Sequence, residues 1–163
     1  MRAEIIAVGS ELLSFGRPET NSLHISSKLK TLGIDVLRKA AVGDRPEEIT
    51  ESLSLALKHS EVVAITGGLG PTNDDITREV VAGFLGMELR EDQSILEDLK
   101  RRYERFGLKL TPNNRKQALV PDGAEVLRNP HGTAPGLCLK SGDKLVFLLP
   151  GPPRELIPMV ENH

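Results

Sequence analysis

Short runs of consecutive apolar residues alternate along the chain with longer segments in which apolar residues recur every three or four positions. Ile5-Ile6-Ala7-Val8, closed by Gly9, reads as a buried strand. Ile25, Leu29 and Leu32 then repeat at helical spacing, with Gly33 placed for a left-handed cap. Ile34 to Val42 predicts a second strand. Ile49, Leu53, Ala56 and Leu57 form one face of a helix that opens at Asp44, with Pro46 in its first turn. Val62-Val63-Ala64-Ile65 is the clearest central strand. Ile76, Val80 and Phe84 predict a helix stopped at Gly86. Ile95, Leu99, Tyr103 and Phe106 predict another, ended by Gly107. Thr111-Pro112 opens a short helix, Leu145 to Leu149 is the last core strand, and Pro153 to Val160 is a final helix.

Apolar strands separated by amphipathic helices imply an α/β fold with a mostly parallel sheet covered on both faces. Gly142-Asp143, between Leu137-Cys138-Leu139 and Leu145-Val146, reads as a hairpin, so the sheet is expected to be mixed at that edge. With 163 residues and no repeat or linker, residues 1–163 read as one domain. The abrupt ending at His163 suits a domain cut from a longer protein.

Charge removes some functions from consideration. Lys and Arg number 21 against 23 Asp and Glu, so there is no global basic field and nucleic acid is not an expected partner. The cluster Lys100-Arg101-Arg102 with Arg105 shares its helix with Glu97, Asp98 and Glu104 and reads as a solvated face. Cys138, the single cysteine, excludes Cys-based zinc sites and an intramolecular disulfide. No signal peptide and no apolar stretch of membrane-spanning length is visible, so a cytoplasmic protein that does not enter a membrane is expected.

In open α/β sheets ligands bind beyond the carboxyl ends of the strands, and three loops stand there. They are Gly9-Ser10-Glu11, the run Thr66 to Asp75, and Pro150-Gly151-Pro152-Pro153. Gly67, Gly68 and Gly70 let backbone N–H groups approach a phosphate or carboxylate, with the following helix adding its own N–H groups. The same glycines also suit a tight strand-to-helix turn. Thr72 and Asp75 fit a capping box, and Asp44 fits a helix N-cap. Asp74 and Asp75 equally fit a carboxylate pair holding Mg²⁺ against ligand phosphates. Asn114, next to Asn113 and Arg115, and the loop from Asn129 through His131, Gly132 and Thr133 to Gly136 could be surface or could hold a sugar or base.

Taken together, these loops resemble the N-terminal domain of the CinA (competence/damage-inducible) family, within the MoaB/Mog-like molybdopterin-binding superfamily. The likeness rests on Gly9 to Leu13, Thr20-Asn21, Thr66 to Thr72, Asp74 to Glu79, Asn114 to Ala118, Asn129, Gly132 to Gly136 and Leu149-Pro150-Gly151. The segment Phe15-Gly16-Arg17-Pro18 departs from the family pattern. The resemblance implies a three-layer α/β/α fold and a homo-oligomer. It also implies a metal-dependent ADP-ribose pyrophosphatase giving AMP and ribose 5-phosphate, an activity for which the chain has no Nudix box. Asp44 and Asp75 match the acidic positions of the molybdopterin-handling relatives. Asp75, Asp44 and Asp74 are then the catalytic candidates, and Glu11, Asp74 and Asp75 the ligands of a divalent cation such as Mg²⁺. Gly9, Ser10, Glu11, Thr66, Gly67, Gly68, Gly70, Thr72, Asn114, Asn129, Gly132, Thr133, Pro150 and Gly151 line the ligand site on this reading. The competing readings are a non-catalytic module binding a nucleotide or pterin phosphate, and an interaction domain.

Overall fold

The computed structural model describes residues 1–14 and 18–162, so residues 15–17 of the departing segment, and His163, lie outside it. Six strands form the main sheet. They are Arg2–Val8 (β1), Asp35–Val42 (β2), Val62–Thr66 (β3), Glu125–Leu127 (β6), Gly136–Ser141 (β7) and Lys144–Leu149 (β8). Their order is β2-β1-β3-β8-β7-β6; the first four run parallel, β7 runs against them, and β6 pairs antiparallel with β7. Leu89–Glu91 (β4) and Leu119–Pro121 (β5) make a separate two-stranded antiparallel pair.

Strand position explains the apolar pattern. The five residues of β3, between two neighbours and under helices on both faces, are all buried. On β2, at the sheet edge, exposed and half-buried residues alternate. Alternate residues of each strand feed two cores. Ile6, Val63, Ile65 and Leu148 pack with Ile49, Leu53 and Ala56 of Pro46–His59 (α2) and Val81 of Thr77–Leu85 (α3). On the other face Ile5, Ala64 and Leu149 pack with Ile25 of Asn21–Thr31 (α1) and with Leu156 and Met159 of Pro153–Asn162 (α6). Three layers result, α2/α3 over the sheet over α1/α6. Leu96 and Leu99 of Gln93–Arg105 (α4) pack with Ala118 in a small satellite cluster beside the short helix Pro112–Arg115 (α5).

The expected hairpin joins β7 to β8. Ser141 pairs with Lys144, and Gly142 takes φ +62°. Four details differ from the sequence reading. Helix α2 is capped at Arg45, not Asp44. Helix α3 starts at Thr77, beyond Asp74 and Asp75, and its buried face is Thr77, Arg78, Val81 and Ala82. Phe84, assigned to the apolar stripe, is 40% exposed. Phe106, assigned to the α4 stripe, is 79% exposed past the helix end, and Leu96 takes its place in the packing. The pair β4–β5 was not anticipated, because three-residue strands carry too little pattern.

Candidate functional site

The chain leaves β1 to form β2 on one side and returns to form β3 on the other, so the strand order reverses at the carboxyl ends of β1 and β3. That reversal opens a crevice in this class of sheet. A cleft of about 810 Å³ lies there, lined by residues following β1, β3 and β8. Gly9 and Glu11 line it from the first loop, Thr66 to Thr72 with Asp74 and Asp75 from the second, and Pro150 to Pro153 from the third. Asp44 and Thr133 also line it. Ser10 does not; its N–H donates to Asp44 Oδ2 at 2.7 Å, and its Oγ accepts from Asp44 N at 3.2 Å. Asp44 thus ties the β1 and β2 loops together instead of capping α2.

The glycine loop owes two of its glycines to the fold. Gly67 has φ +99°, and a Cβ on it would lie 2.1 Å from Val8 O. Gly68 has φ +67°, and a Cβ there would lie 2.1 Å from Thr77 Oγ1. The Gly67 N–H donates to Leu149 O at 3.0 Å, so it is unavailable to a ligand. The first N–H of α3, on Thr77, donates to Gly68 O at 3.1 Å. That first helix donor is therefore spent inside the loop. Among the described residues the N–H groups of Gly68, Leu69 and Gly70 meet no hydrogen-bond acceptor, and all three residues line the cleft.

The acids have mixed employment. Asp75 Oδ2 accepts from Thr72 N at 2.9 Å and from Thr72 Oγ1 at 2.6 Å, closing a turn ahead of α3, so the Thr72 hydroxyl donates where a capping box would have it accept. Asp75 Oδ1 makes no hydrogen bond among the described residues. Asp74 stands exposed on the rim. Among the described residues no three of His, Cys, Asp or Glu gather closely enough to hold a metal ion. Glu11, Asp74 and Asp75 therefore form no ready cage. They suit a cation carried in on ligand phosphates and completed by one or two carboxylates, which is how Mg²⁺ commonly binds.

Beneath the loop lies a frame that sequence reading did not nominate. The Arg78 guanidinium, 1% exposed, donates to Lys116 O at 2.8 Å and Leu69 O at 3.2 Å. Burial pulls its pKa down, while Glu79 and Asp75 pull it up. Lys116 Nζ donates to Asp75 O at 2.7 Å and also to Thr72 O. Two cations thus hold the loop carbonyls in place. Arg102 does the same for the next loop, donating to Gly132 O at 2.7 Å and Asn129 O at 3.0 Å, while Arg101 pairs with Asp98.

Three cleft residues were missed as ligand contacts. Asn21 Nδ2 donates to Thr66 Oγ1 at 3.0 Å and to Gly151 O at 2.7 Å, and Thr66 Oγ1 donates to Pro150 O. Gln117, 1% exposed, donates from Nε2 to Thr133 Oγ1 at 3.0 Å. Asn21 Oδ1 and Gln117 Oε1 are buried without partners among the described residues. Each such acceptor costs about 1–3 kcal/mol until water or a ligand supplies a donor. Glu155, on the first turn of α6, is 8% exposed and accepts from Asn129 Nδ2 at 2.8 Å. Only the Thr20-Asn21 and Asn114 to Ala118 motifs hinted at the first two; Glu155 had no sequence signal.

Asn114, Asn129 and Gly132, expected to touch the ligand, do not line the cleft. Asn114 exchanges bonds with Thr111 in the capping box of α5. Asn129 braces Ala134 O and Glu155, and its Oδ1 accepts from His131 N. A Cβ on Gly132 would sit 1.8 Å from Glu155 Oε2, so this glycine makes room for the carboxylate.

Residues 4–163 match the family described as "Probable molybdopterin binding domain". A relative from Thermoanaerobacter sp. (strain X514) with a competence-damage inducible name is 48% identical over the whole chain, which spans 40% of that relative. A CinA-like protein from Dictyoglomus thermophilum is 46% identical, again over the whole chain and 40% of the relative. The chain thus spans about two-fifths of the length of these curated relatives. The crystal structure of a CinA protein of unknown function from Thermoplasma acidophilum aligns with a TM-score of 0.90 at 38% identity, covering 98% of this chain and 94% of that one. The MoaB structure from Thermus thermophilus shares the fold, with a TM-score of 0.64 at 22% identity over 98% of this chain and 87% of that one.

Proposed function

Because the chain belongs to the molybdopterin-binding-domain family, as a CinA-like member with the MoaB/Mog fold, we propose that it binds a phosphorylated small molecule, a pterin phosphate or a nucleotide, in the cleft above β1 and β3. One observation carries this reading. The N–H groups of Gly68, Leu69 and Gly70 line a nucleotide-sized cleft and meet no acceptor among the described residues. Consecutive loop N–H groups make an anion-binding concavity, and the volume lies in the usual range for small-ligand sites.

Asp75 favours a second reading, hydrolysis of ADP-ribose to AMP and ribose 5-phosphate. Its Oδ1 makes no hydrogen bond among the described residues and belongs to a cleft-lining side chain, a place from which it would take a proton from an attacking water as the diphosphate bridge breaks. The loop N–H groups would stabilise charge growing on the phosphoryl oxygens. A divalent cation, held by Asp74 or Glu11 together with the diphosphate, would neutralise the phosphate charge while Asp75 Oδ1 stays free to take the proton. No helix among the described residues is long and apolar enough to cross a membrane, and we place the domain in the cytoplasm on this reading.

Calorimetric titration with pyrophosphate, AMP, ADP-ribose and a molybdopterin mimic tests the binding. Phosphorylated ligands should bind and pyrophosphate should compete with them; no binding by any of them overturns the proposal. Incubating ADP-ribose with the protein and Mg²⁺ tests turnover. Asp75→Asn should retain the Thr72 contact and ligand binding while losing hydrolysis. Parent-rate hydrolysis by that variant removes Asp75 from the chemistry.

A further inference from the structure

Glu155 is a buried carboxylate in the cleft wall, on the first turn of α6. Asn129 Nδ2 holds its Oε2 at 2.8 Å, and the missing side chain of Gly132 makes room for that oxygen. Oε1 makes no hydrogen bond among the described residues; its one ion-pair contact there is Arg154 Nε, at 4.0 Å on an exposed side chain. The helix N-terminus and the Asn129 amide both favour negative charge here, so the carboxylate lacks hydrogen-bond donors more than it lacks a cation. Both acceptor positions of Oε1 are open. Two features of the cleft narrow the donor. No aromatic side chain lines it among the described residues, so a base beside Glu155 would have no ring to stack on. The glycine loop also lies close by. A Cβ on Gly151 would sit 3.5 Å from Gly67 Cα, and α6 starts at Pro153. The group that reaches Glu155 is therefore joined closely to the phosphate held at residues 68–70, and in a nucleotide that group is the ribose.

We propose that Glu155 is a specificity-determining residue, which accepts the 2′- and 3′-hydroxyls of a ribose whose 5′-phosphate lies on the glycine loop. A vicinal diol brings two neutral donors at the spacing of adjacent carbons, matching the two open positions of Oε1. Carboxylates meet ribose hydroxyls in this way at the strand ends of other open α/β sheets. Of the two ligand classes proposed above, this one favours the nucleotide, since a pterin diphosphate without a sugar brings no diol. It sets no requirement on the base, so adenine is accommodated. The assignment rests on the proposed phosphate site, because the loop at residues 68–70 anchors the same ligand.

Calorimetric titration of parent and Glu155→Gln with ADP, 2′-deoxy-ADP, 3′-deoxy-ADP, 2′,3′-dideoxy-ADP and inorganic pyrophosphate, at one fixed Mg²⁺ concentration, separates the two claims. The four nucleotides share base and diphosphate and chelate Mg²⁺ alike, so differences among them report the hydroxyls. Hydrogen bonds to a charged group support an expected preference of about tenfold or more for ADP over the dideoxy analogue, with the two single deoxy analogues between them. Glu155→Gln should shrink that preference to within about threefold, because a neutral amide bonds a hydroxyl more weakly. It should leave pyrophosphate affinity unchanged, with an unaltered melting temperature as the folding control. If the variant fails to fold, the deoxy series on the parent still decides.

Equal affinities for ADP and its dideoxy analogue in the parent, or a preference that persists in a folded Glu155→Gln, overturn the ribose assignment while the phosphate site stands. Pyrophosphate binding without ADP binding does the same. Weakening of pyrophosphate together with every nucleotide in Glu155→Gln assigns the carboxylate to the phosphate end and also overturns it. If pyrophosphate and every nucleotide fail to bind the parent, the phosphate site itself is wrong and this inference falls with it.

Discussion

Gly68→Ala isolates the demand that the fold places on the glycine loop. At φ +67° an alanine pays about 1–2 kcal/mol for left-handed backbone. Its Cβ would also lie 2.1 Å from Thr77 Oγ1 and 3.1 Å from Thr77 Cβ. Thr77 is fully buried and bonded through its N–H to Gly68 O, so it yields little space. Overpacking of this kind costs about 1–3 kcal/mol, for a total loss of about 2–5 kcal/mol. Thr77→Ala alone deletes a buried hydroxyl that has no partner among the described residues, and should change stability by less than about 1 kcal/mol. The double variant removes the shorter overlap and keeps the backbone strain, so the two substitutions should couple favourably by about 1–3 kcal/mol. Urea denaturation of the four proteins, with similar m-values, reads these numbers directly. Additive effects would acquit Thr77 as the obstruction, and a Gly68→Ala protein as stable as the parent would refute the left-handed geometry. Bulkier replacements at Gly68 therefore confuse folding with ligand affinity.

Lys116→Met keeps the aliphatic stem but releases the carbonyls of Thr72 and Asp75. Stability should fall by on the order of 1 kcal/mol, amide exchange should quicken at residues 72–75, and pyrophosphate should bind more weakly; unchanged exchange would show that the clamp is idle. Glu61 accepts from the Arg2 guanidinium and then from the Arg2 backbone N–H, contacts that hold its pKa down at about 2 against an ordinary 4.5. Its contribution is complete above pH 4.5 and is lost as pH falls toward 2, so Glu61→Gln should flatten that part of the acid-unfolding profile. A profile identical to the parent's would contradict the pairing.

The strands and the layered fold were legible because β1, β3 and β8 are continuous apolar runs that few other structures accommodate. The phase of α3 was not. Its buried face includes Thr77 and Arg78, polar residues that hide in an apolar count, while Phe84 looks buried and is not. The three loops pointed to the cleft because strand ends are readable. The employment of single side chains was not readable, since it depends on distant partners. Asp44 serves Ser10, 34 positions away, and Asn129 serves Glu155, 26 positions away. Asn114 had a local signal in Thr111-Pro112, the capping box that now occupies it.

Asn21 reaches Gly151 across 130 positions, and Thr66 reaches Pro150 across 84. A ribosome emits the glycine loop long before it emits the segment that closes the cleft's far side. Until then β3, wholly buried in the finished sheet, has β1 on one edge and nothing on the other. That open apolar edge is the part of the nascent chain most exposed to misassociation. A ligand cannot shield it, because the site that would hold the ligand needs residues 150–155. Ligand should therefore raise the melting temperature of the completed chain while leaving its yield during synthesis unchanged.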